Sequence, residues 1–383
     1  MAAIRDPRDA GPDTASKLAW MRRALALAER GRGGTSPNPM VGAVLVRDGR
    51  VVGEGFHRAP GEPHAEALAL ALAGALAAGA TCYATLEPCA HHGRTPPCAD
   101  ALAGAGVARV VAAMEDPDPR VRGSGFARLR AAGVAVEIGV GAAEAEAQNA
   151  AFVTHRRLGR PRVTLKAAAS LDGKVAAPDG TSRWITGAPA RADAHRLRAE
   201  ADAVVVGAGT ALADDPRLTV RLPGWSGRQP LRVLVDAAGR VGAGGHLFDA
   251  GAPTLVATTA AAPAAAARAW TAAGAEVLVC PEVPAAAGGV DLADLVKALG
   301  ARDVLELLVE GGPRLHASFW EAGLADRLVW YLAPLVIGGA APGLLPGVGA
   351  ATLADAATVR IESVDRLGDD FRITGYPTAT RED

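Results

Sequence analysis

The sequence predicts an α/β protein built as two successive domains. Three observations carry that expectation. A chain of 383 residues exceeds the usual size of one domain. Strand-like and helix-like stretches alternate in both halves. A basic stretch with Gly and Pro, Arg156-Arg157-Leu158-Gly159-Arg160-Pro161, reads as the linker between them. Half of the residues are hydrophobic and 21% are charged, a composition of soluble globular chains. A net charge of -1 with no long Lys/Arg block offers no footprint for a nucleic-acid backbone or an anionic membrane, and leaves small anionic substrates open.

Residues 1–15 are charged, carry Pro and Gly, and read as a mobile tail without the apolar core of a signal peptide, so a cytoplasmic location is expected. The first domain is expected over 16–158. Leu18, Met21, Leu25 and Ala28 share one face of a helix over Ser16–Arg30. A hairpin follows, Val41–Val46 and Val51–His57 around Asp48-Gly49, a dipeptide suited to a left-handed turn. Then come helix His64–Ala78, strand Thr81–Leu86, helix Pro97–Ala105, strand Arg109–Ala113, helix Val121–Ala131, strand Val134–Ile138 and a last helix around Ala142–Arg157. Ala67–Leu86 runs twenty residues without a charge, long enough for a bilayer. Gly79 and the strand-like Thr81–Leu86 argue instead for a buried helix followed by a buried strand, and no membrane partner is expected.

The second domain, expected over 159–383, opens with Val163–Leu165 and continues through strands Ala203–Val206, Leu231–Val235, Thr254–Ala257, Val277–Val279 and Leu305–Val309. Its end, Arg327–Leu332, Val359–Val364 and Phe371–Tyr376, lacks a helix between the last two strands and suggests an antiparallel edge. Ala260–Ala273 reads as a surface helix.

Four cysteines are too few for a disulfide scaffold in a chain of this length. Cys82 and Cys280 sit in apolar strands and are expected buried. Cys89 and Cys98 differ. With His64 at a helix start they make one imidazole and two thiolates, a three-ligand zinc set that leaves a fourth position for water, as catalytic zinc does. Glu66, two residues beyond His64, is the natural proton shuttle. A capping His and a turn Cys are the bland readings of each motif alone, and a structural zinc module is the bland reading of the set.

His64-Ala65-Glu66 with Pro88-Cys89 resembles the cytidine-deaminase superfamily, and the long Cys89-Ala-His-His-Gly-Arg-Thr-Pro-Pro-Cys98 loop resembles one branch, the bifunctional deaminase/reductase of riboflavin biosynthesis. Thr35-Ser-Pro-Asn-Pro-Met-Val-Gly42, Gly61-Glu-Pro-His-Ala-Glu66 and Thr85-Leu-Glu-Pro-Cys89 resemble the same family's first domain. The resemblance implies a cytidine-deaminase-like three-layer αβα domain with one Zn2+ per chain. It further implies that Asn38, His91, His92 and Arg94 line a pyrimidine and phosphoribosyl pocket.

In the second half Gly207-Ala-Gly209-Thr210 lacks the third glycine of a dinucleotide fingerprint, since Leu212 stands there. Glu310-Gly311-Gly312-Pro313 is a better anion site, because a glycine pair before a helix exposes N–H groups to a phosphate. Lys166-Ala-Ala-Ala-Ser-Leu-Asp-Gly-Lys174, Ser182-Arg-Trp-Ile-Thr186 and Leu212-Ala-Asp-Asp-Pro-Arg-Leu-Thr219 resemble the family's reductase domain. The implied fold is dihydrofolate-reductase-like and the implied cofactor NADPH. Carried over by position, Ala169, Trp184, Thr210, Asp214, Gly312, Pro313, Arg314, Leu315, His316, Ala317 and Ser318 would hold the cofactor. Ser182, Arg198, Leu218, Arg221 and Glu310 would hold the substrate, with Lys166 and Asp172 polarising its sugar end. The expected partner is a small phosphorylated pyrimidine, with no nucleic acid, on a homo-oligomeric enzyme. A nucleic-acid-editing deaminase is the rival, which a basic track or stacking aromatics would favour. An inactive second domain serving as scaffold is the other alternative.

Overall fold

Asp48 and Gly49 hold φ of 50° and 72°, the left-handed pair of a two-residue turn, and so fold β1 (Gly42–Arg47) back onto β2 (Arg50–Phe56). This hairpin lies at one end of a five-stranded sheet in the computed structural model of the chain, which describes residues 14–90, 97–283 and 289–378. Two compact units make up the chain, Met1–Leu158 and Gly159–Asp383.

In the first unit β3 (Thr81–Ala84), β4 (Arg109–Ala112) and β5 (Ala135–Ile138) complete the order β2-β1-β3-β4-β5. β1 is antiparallel to both its neighbours, whereas β3, β4 and β5 run parallel. Alternation of side chains divides the sheet's apolar residues between two cores. Leu45, Cys82 and Val110 pack under α2 (Ala65–Ala73), α3 (Cys98–Gly104) and α4 (Ser124–Ala131). Val44, Tyr83 and Val111 pack under α1 (Thr14–Glu29), α5 (Ala142–Gln148) and α6 (Ala150–Leu158). Three layers result. The close approach of α2 to the hairpin depends on glycine: a Cβ on Gly53 would fall 2.1 Å from the Ala69 carbonyl oxygen.

Two helices differ from the sequence expectation for local reasons. The one expected over Ala142–Arg157 breaks at Asn149, whose buried amide accepts from Met40 N–H at 2.8 Å and donates to Met40 C=O at 2.9 Å. That side chain replaces a strand partner for the segment before β1. The one expected over His64–Ala78 ends at Ala73, where Gly74 takes φ 53° and a short 3-10 turn, Gly74–Ala77, leads to β3. The uncharged stretch is thus a helix, a turn and a strand, and among the described residues no helix is long and apolar enough to cross a membrane.

The second unit is a nine-stranded sheet. Its strands are β6 (Arg162–Ser170), β7 (Ala203–Gly207), β8 (Leu231–Val235), β9 (Thr254–Thr258), β10 (Glu276–Val279), β11 (Glu306–Val309), β12 (Arg327–Ala333), β13 (Val359–Leu367) and β14 (Asp370–Pro377). Their order is β10-β9-β8-β7-β11-β6-β12-β14-β13. The first seven in that order run parallel, and β14 and β13 close the sheet as an antiparallel edge. α10 (Leu292–Gly300) and α11 (Pro313–Glu321) cover one face through Leu295, Leu299 and Phe319. α7 (Ala188–Glu200), α8 (Ala208–Asp214) and α9 (Ala264–Ala272) cover the other. The Ala-rich α9 is fastened by Trp270, fully buried and donating to the Val241 carbonyl at 2.8 Å. β6 runs well past the three residues that the sequence marks, because β11 pairs its start and β12 alone, also parallel, pairs the Ala167–Ala169 run.

Candidate active sites

His64 immediately precedes α2, Cys98 opens α3, and Cys89 lies in the loop after β3, so three elements deliver one donor each to one end of the parallel strands. The donor atoms of His64, Cys89 and Cys98 all lie within 4.8 Å of one another. His64 Nδ1 is 3.3 Å from Cys98 Sγ and 3.5 Å from Cys89 Sγ. Zinc bonds of about 2.0–2.1 Å to nitrogen and about 2.3 Å to sulfur at a tetrahedral angle require an N···S edge of about 3.5 Å. The residues fit the ion in chemistry and in spacing.

The Cys98 N–H donates to Cys89 Sγ at 3.3 Å. Hydrogen bonding from Cys98, reinforced by His64 against the effect of burial, pulls the Cys89 thiol down to about 4, while the same contact and burial push Cys98 up. A metal binds thiolates, so binding one would release the protons that the two thiols carry. Cys98→Ala protein is expected to carry almost no zinc by elemental analysis, whereas Cys280→Ala protein, altered at a buried thiol of the other unit, should keep one zinc per chain.

Glu66 sits in the first turn of α2, 3% exposed, and burial raises its pKa above the usual carboxylate value. It shares with His64 and Cys89 a cavity of about 380 Å³. Asn38, which also lines the cavity, donates to His57 Nε2 at 3.0 Å, which makes His57 Nδ1 the donor to the Pro63 carbonyl at 3.3 Å. Burial lowers the His57 pKa, in keeping with that neutral tautomer. The cavity therefore offers an amide, a fixed imidazole and a buried carboxyl beside the metal ligands, a set suited to gripping and protonating a nitrogen heterocycle. His91, His92 and Arg94 lie outside the described residues.

Glu87 is the organiser that the sequence does not announce. Its buried carboxylate accepts from the N–H groups of Asp116, Gly123 and Gly125 at 3.1, 2.9 and 2.8 Å, fixing the loop between β4 and α4. That loop brings Asp116, Asp118 and Arg120 to the cavity, and α6 adds Phe152 and Arg156. The bidentate Arg120 guanidinium holds Asp118 down to about 2.

In the second unit the turns after β7 and β11 meet. A Cβ on Gly311 would fall 2.5 Å from Val206 Cα, and one on Gly312, at φ 47°, would fall 2.8 Å from Thr210 Oγ1. Only glycine permits this approach, which leaves the α11 N-terminus, with Pro313 in its first turn, beside Thr210 as a cradle for a phosphate. Arg314 and Ser318 are exposed on α11, while Leu315, His316 and Ala317 point inward; Leu315 belongs to the core and can reach a cofactor only through its main chain. Ala169 is buried on β6. Trp184 is 69% exposed beneath the Arg191 guanidinium, and Asp214, at the end of α8, accepts from Arg183. Ser182 is half-buried two residues before Trp184.

Beside the cradle lies a buried charged cluster. Arg198 grips both oxygens of Glu310, at 2.5 and 2.7 Å, and donates to the Thr219 carbonyl at 3.1 Å. Burial alone would raise the Glu310 pKa, but Arg198 and then Lys166 outweigh it and hold the group at about 2. Lys166 is lowered by burial and lies 5.6 Å from the Tyr331 ring centre. Arg221 is exposed, its N–H donating to His195 Nδ1 at 3.3 Å, and Leu218 is buried at φ 52°. His195, absent from the sequence reading, is lowered to about 4 by burial and by Arg198 and Arg221. Asp172 is occupied elsewhere: its carboxylate accepts from Ser170 and from the N–H groups of Ile337 and Gly338, anchoring the loop after β12.

Residues 161–373 match the RibD C-terminal domain, and residues 14–114 match the cytidine and deoxycytidylate deaminase zinc-binding region. The chain is 44% identical over 362 residues to the riboflavin biosynthesis protein RibD of Escherichia coli K12, covering 92% of this chain and 96% of that protein. It is 42% identical over 356 residues to RibD of Aquifex aeolicus VF5, covering 92% and 96%. The structure of Acinetobacter baumannii RibD superposes with a TM-score of 0.87 at 37% identity, covering 96% of this chain and all of that one. A Thermotoga maritima diaminohydroxyphosphoribosylaminopyrimidine deaminase/5-amino-6-(5-phosphoribosylamino)uracil reductase gives a TM-score of 0.83 at 33% identity, covering 95% and 99%. With a deaminase unit and a reductase unit in one chain, this protein belongs to the RibD family of bifunctional enzymes of riboflavin biosynthesis.

Proposed function

We propose that the first unit deaminates 2,5-diamino-6-(5-phosphoribosylamino)pyrimidin-4(3H)-one to 5-amino-6-(5-phosphoribosylamino)uracil, and that the second reduces the ribosyl group of that product to ribityl with NADPH. The observation that carries the reading is a cavity lined by His64, Cys89 and the buried Glu66, at which the donor atoms of His64, Cys89 and Cys98 converge within 4.8 Å of one another. Zinc, held by those three residues, supplies Lewis acidity that brings the pKa of water to about 7. Glu66 takes one proton of the attacking water and passes it to a ring nitrogen, then takes the second from the newly formed C–OH and delivers it to the amino group, which departs as ammonia as the C–N bond breaks. Asn38 and His57 orient the ring for that transfer.

In the second unit NADPH supplies the hydride, with its phosphates suited to the Gly312–Thr210 cradle and the start of α11. Arg221, which is exposed, suits the substrate phosphate through its forked donors, while Arg198, whose fork is taken by Glu310, adds buried positive charge nearby. A cytoplasmic, homo-oligomeric enzyme is part of this reading. An anaerobic assay of zinc-loaded protein on the diaminopyrimidinone ribosyl phosphate tests it: ammonia release should come first and NADPH oxidation should follow it. Ammonia alone would restrict the second unit to a scaffold, and neither signal from folded, zinc-loaded protein would refute the assignment.

A further inference from the structure

In the second unit α7 holds the segment that follows α8 at two points. Arg198 donates to the Thr219 carbonyl at 3.1 Å, and His195 Nδ1 accepts from the Arg221 N–H at 3.3 Å. Positions 195 and 198 are three apart on the helix, so both side chains leave the same face. Gln229 adds a third tie, its Oε1 accepting from the Val220 N–H at 2.7 Å. The Arg221 side chain stays exposed while its main chain is held.

The contact with Arg221 fixes the form of His195. A main-chain N–H can meet only an unprotonated ring nitrogen, so Nδ1 presents its lone pair and the proton of the neutral imidazole sits on Nε2. Burial, with Arg198 and then Arg221 beside the ring, lowers its pKa to about 4, in keeping with that form. The side chain is half-buried, and among the described residues Nε2 makes no hydrogen bond. Arg198, Arg221 and Lys166 act on this ring as cations and Glu310 as a carboxylate. A neutral N–H placed there gives a directed donor to an electropositive site without adding a further cation to it. We propose that His195 is a further substrate-binding residue of the reductase unit, its Nδ1 setting the main chain of Arg221 and its Nε2–H donating to an oxygen of the phosphorylated sugar. This role rests on the reductase reading above.

The test uses full-length His195→Leu, His195→Gln and His195→Asn proteins, with NADPH oxidation followed on 5-amino-6-(5-phosphoribosylamino)uracil. The Gln side chain can bring an amide N–H near the place of Nε2, the Asn side chain an amide oxygen near that of Nδ1, and Leu offers neither. KM for the intermediate is expected to rise about 10- to 100-fold in His195→Leu, with kcat within about threefold of the wild type. NADPH affinity, read from the fluorescence of the bound cofactor, should be unchanged. His195→Gln and His195→Asn should each recover part of the loss. An unchanged KM in His195→Leu, or a parallel loss of NADPH affinity, overturns the proposal. Full recovery in His195→Asn with none in His195→Gln also overturns it, since Nε2 would then have no role. A second readout needs no turnover: the ring-nitrogen chemical shifts of His195, assigned by their absence from His195→Asn protein. They are expected to show the Nε2–H tautomer at neutral pH and to move at Nε2 when the intermediate is added. The other tautomer, or no movement at saturation, overturns the proposal. Wild-type protein that neither binds NADPH nor oxidises it with the intermediate would refute the reductase reading and this role with it.

Discussion

Glu66→Gln protein is expected to release ammonia about a thousandfold more slowly than the wild type while binding zinc in equal amount. It should also oxidise NADPH at the wild-type rate when given the deaminated intermediate. The magnitude follows from the work assigned to this carboxyl, since a positioned general acid/base contributes about 10²- to 10⁴-fold, and here one group serves the water, the ring nitrogen and the leaving ammonia. The amide replaces the carboxyl at nearly equal volume in a site only 3% exposed, so packing around α2 is kept. His64, Cys89 and Cys98 are untouched, and the metal content therefore separates a lost proton shuttle from a lost metal site. Burial matters to the assignment as well. It raises the Glu66 pKa above the ordinary carboxylate value, which favours a group that must hand its proton on. A variant that kept more than a tenth of wild-type ammonia release, with zinc bound, would pass the proton role to another group in the cavity.

The candidate metal-binding set and this glutamate could be picked out in the sequence because their motifs are local. His64 and Glu66 are two apart at a helix start, and the Pro88-Cys89 turn follows a strand, so residue type and position already imply the chemistry. The hairpin was legible for the same reason, since Asp48-Gly49 needs no tertiary partner to favour its turn. Residues whose roles are tertiary were silent. Glu87 looks like any glutamate before a proline until the loop some thirty residues on turns its N–H groups toward it. Asn149 breaks a helix that local periodicity would continue, because its amide meets Met40, which is distant in sequence. Arg156 reads as part of a basic linker, and only the fold shows that α6 places it over Phe152 at the cavity. The nine-strand order of the second unit was likewise beyond periodicity, which marks strands but not their neighbours.

The second unit's charged cluster yields the other large effect. Glu310→Gln is expected to destabilise that unit by about 3–5 kcal/mol, because removing one partner of a buried pair leaves the others uncompensated. Arg198 and Lys166 would then face each other with no anion between them. The pH dependence has a definite sign. Glu310 lies at about 2 in the folded chain against an ordinary 4.5, so its contribution is present above pH 4.5 and is lost as pH falls from there through about 2. That difference corresponds to about 3 kcal/mol, of the same order as the mutational cost. The glutamine variant should lack this part of the acid sensitivity. Trp20 is the one tryptophan of the first unit, the other five of the 6 being Trp184, Trp225, Trp270, Trp320 and Trp330, so denaturant unfolding followed by indole fluorescence reads chiefly the second unit. If the proposed substrate site is right, reduction should fall at least about 100-fold, since Glu310 balances the two cations assigned to it, while ammonia release should stay within about twofold. A double variant, Glu310→Gln with Arg198→Met, discriminates between charge and shape. If the cost of the single change is an unpaired buried guanidinium, removing that guanidinium restores part of the stability without restoring reduction. Equal instability of the single and double variants would locate the cost in packing and set the electrostatic account aside.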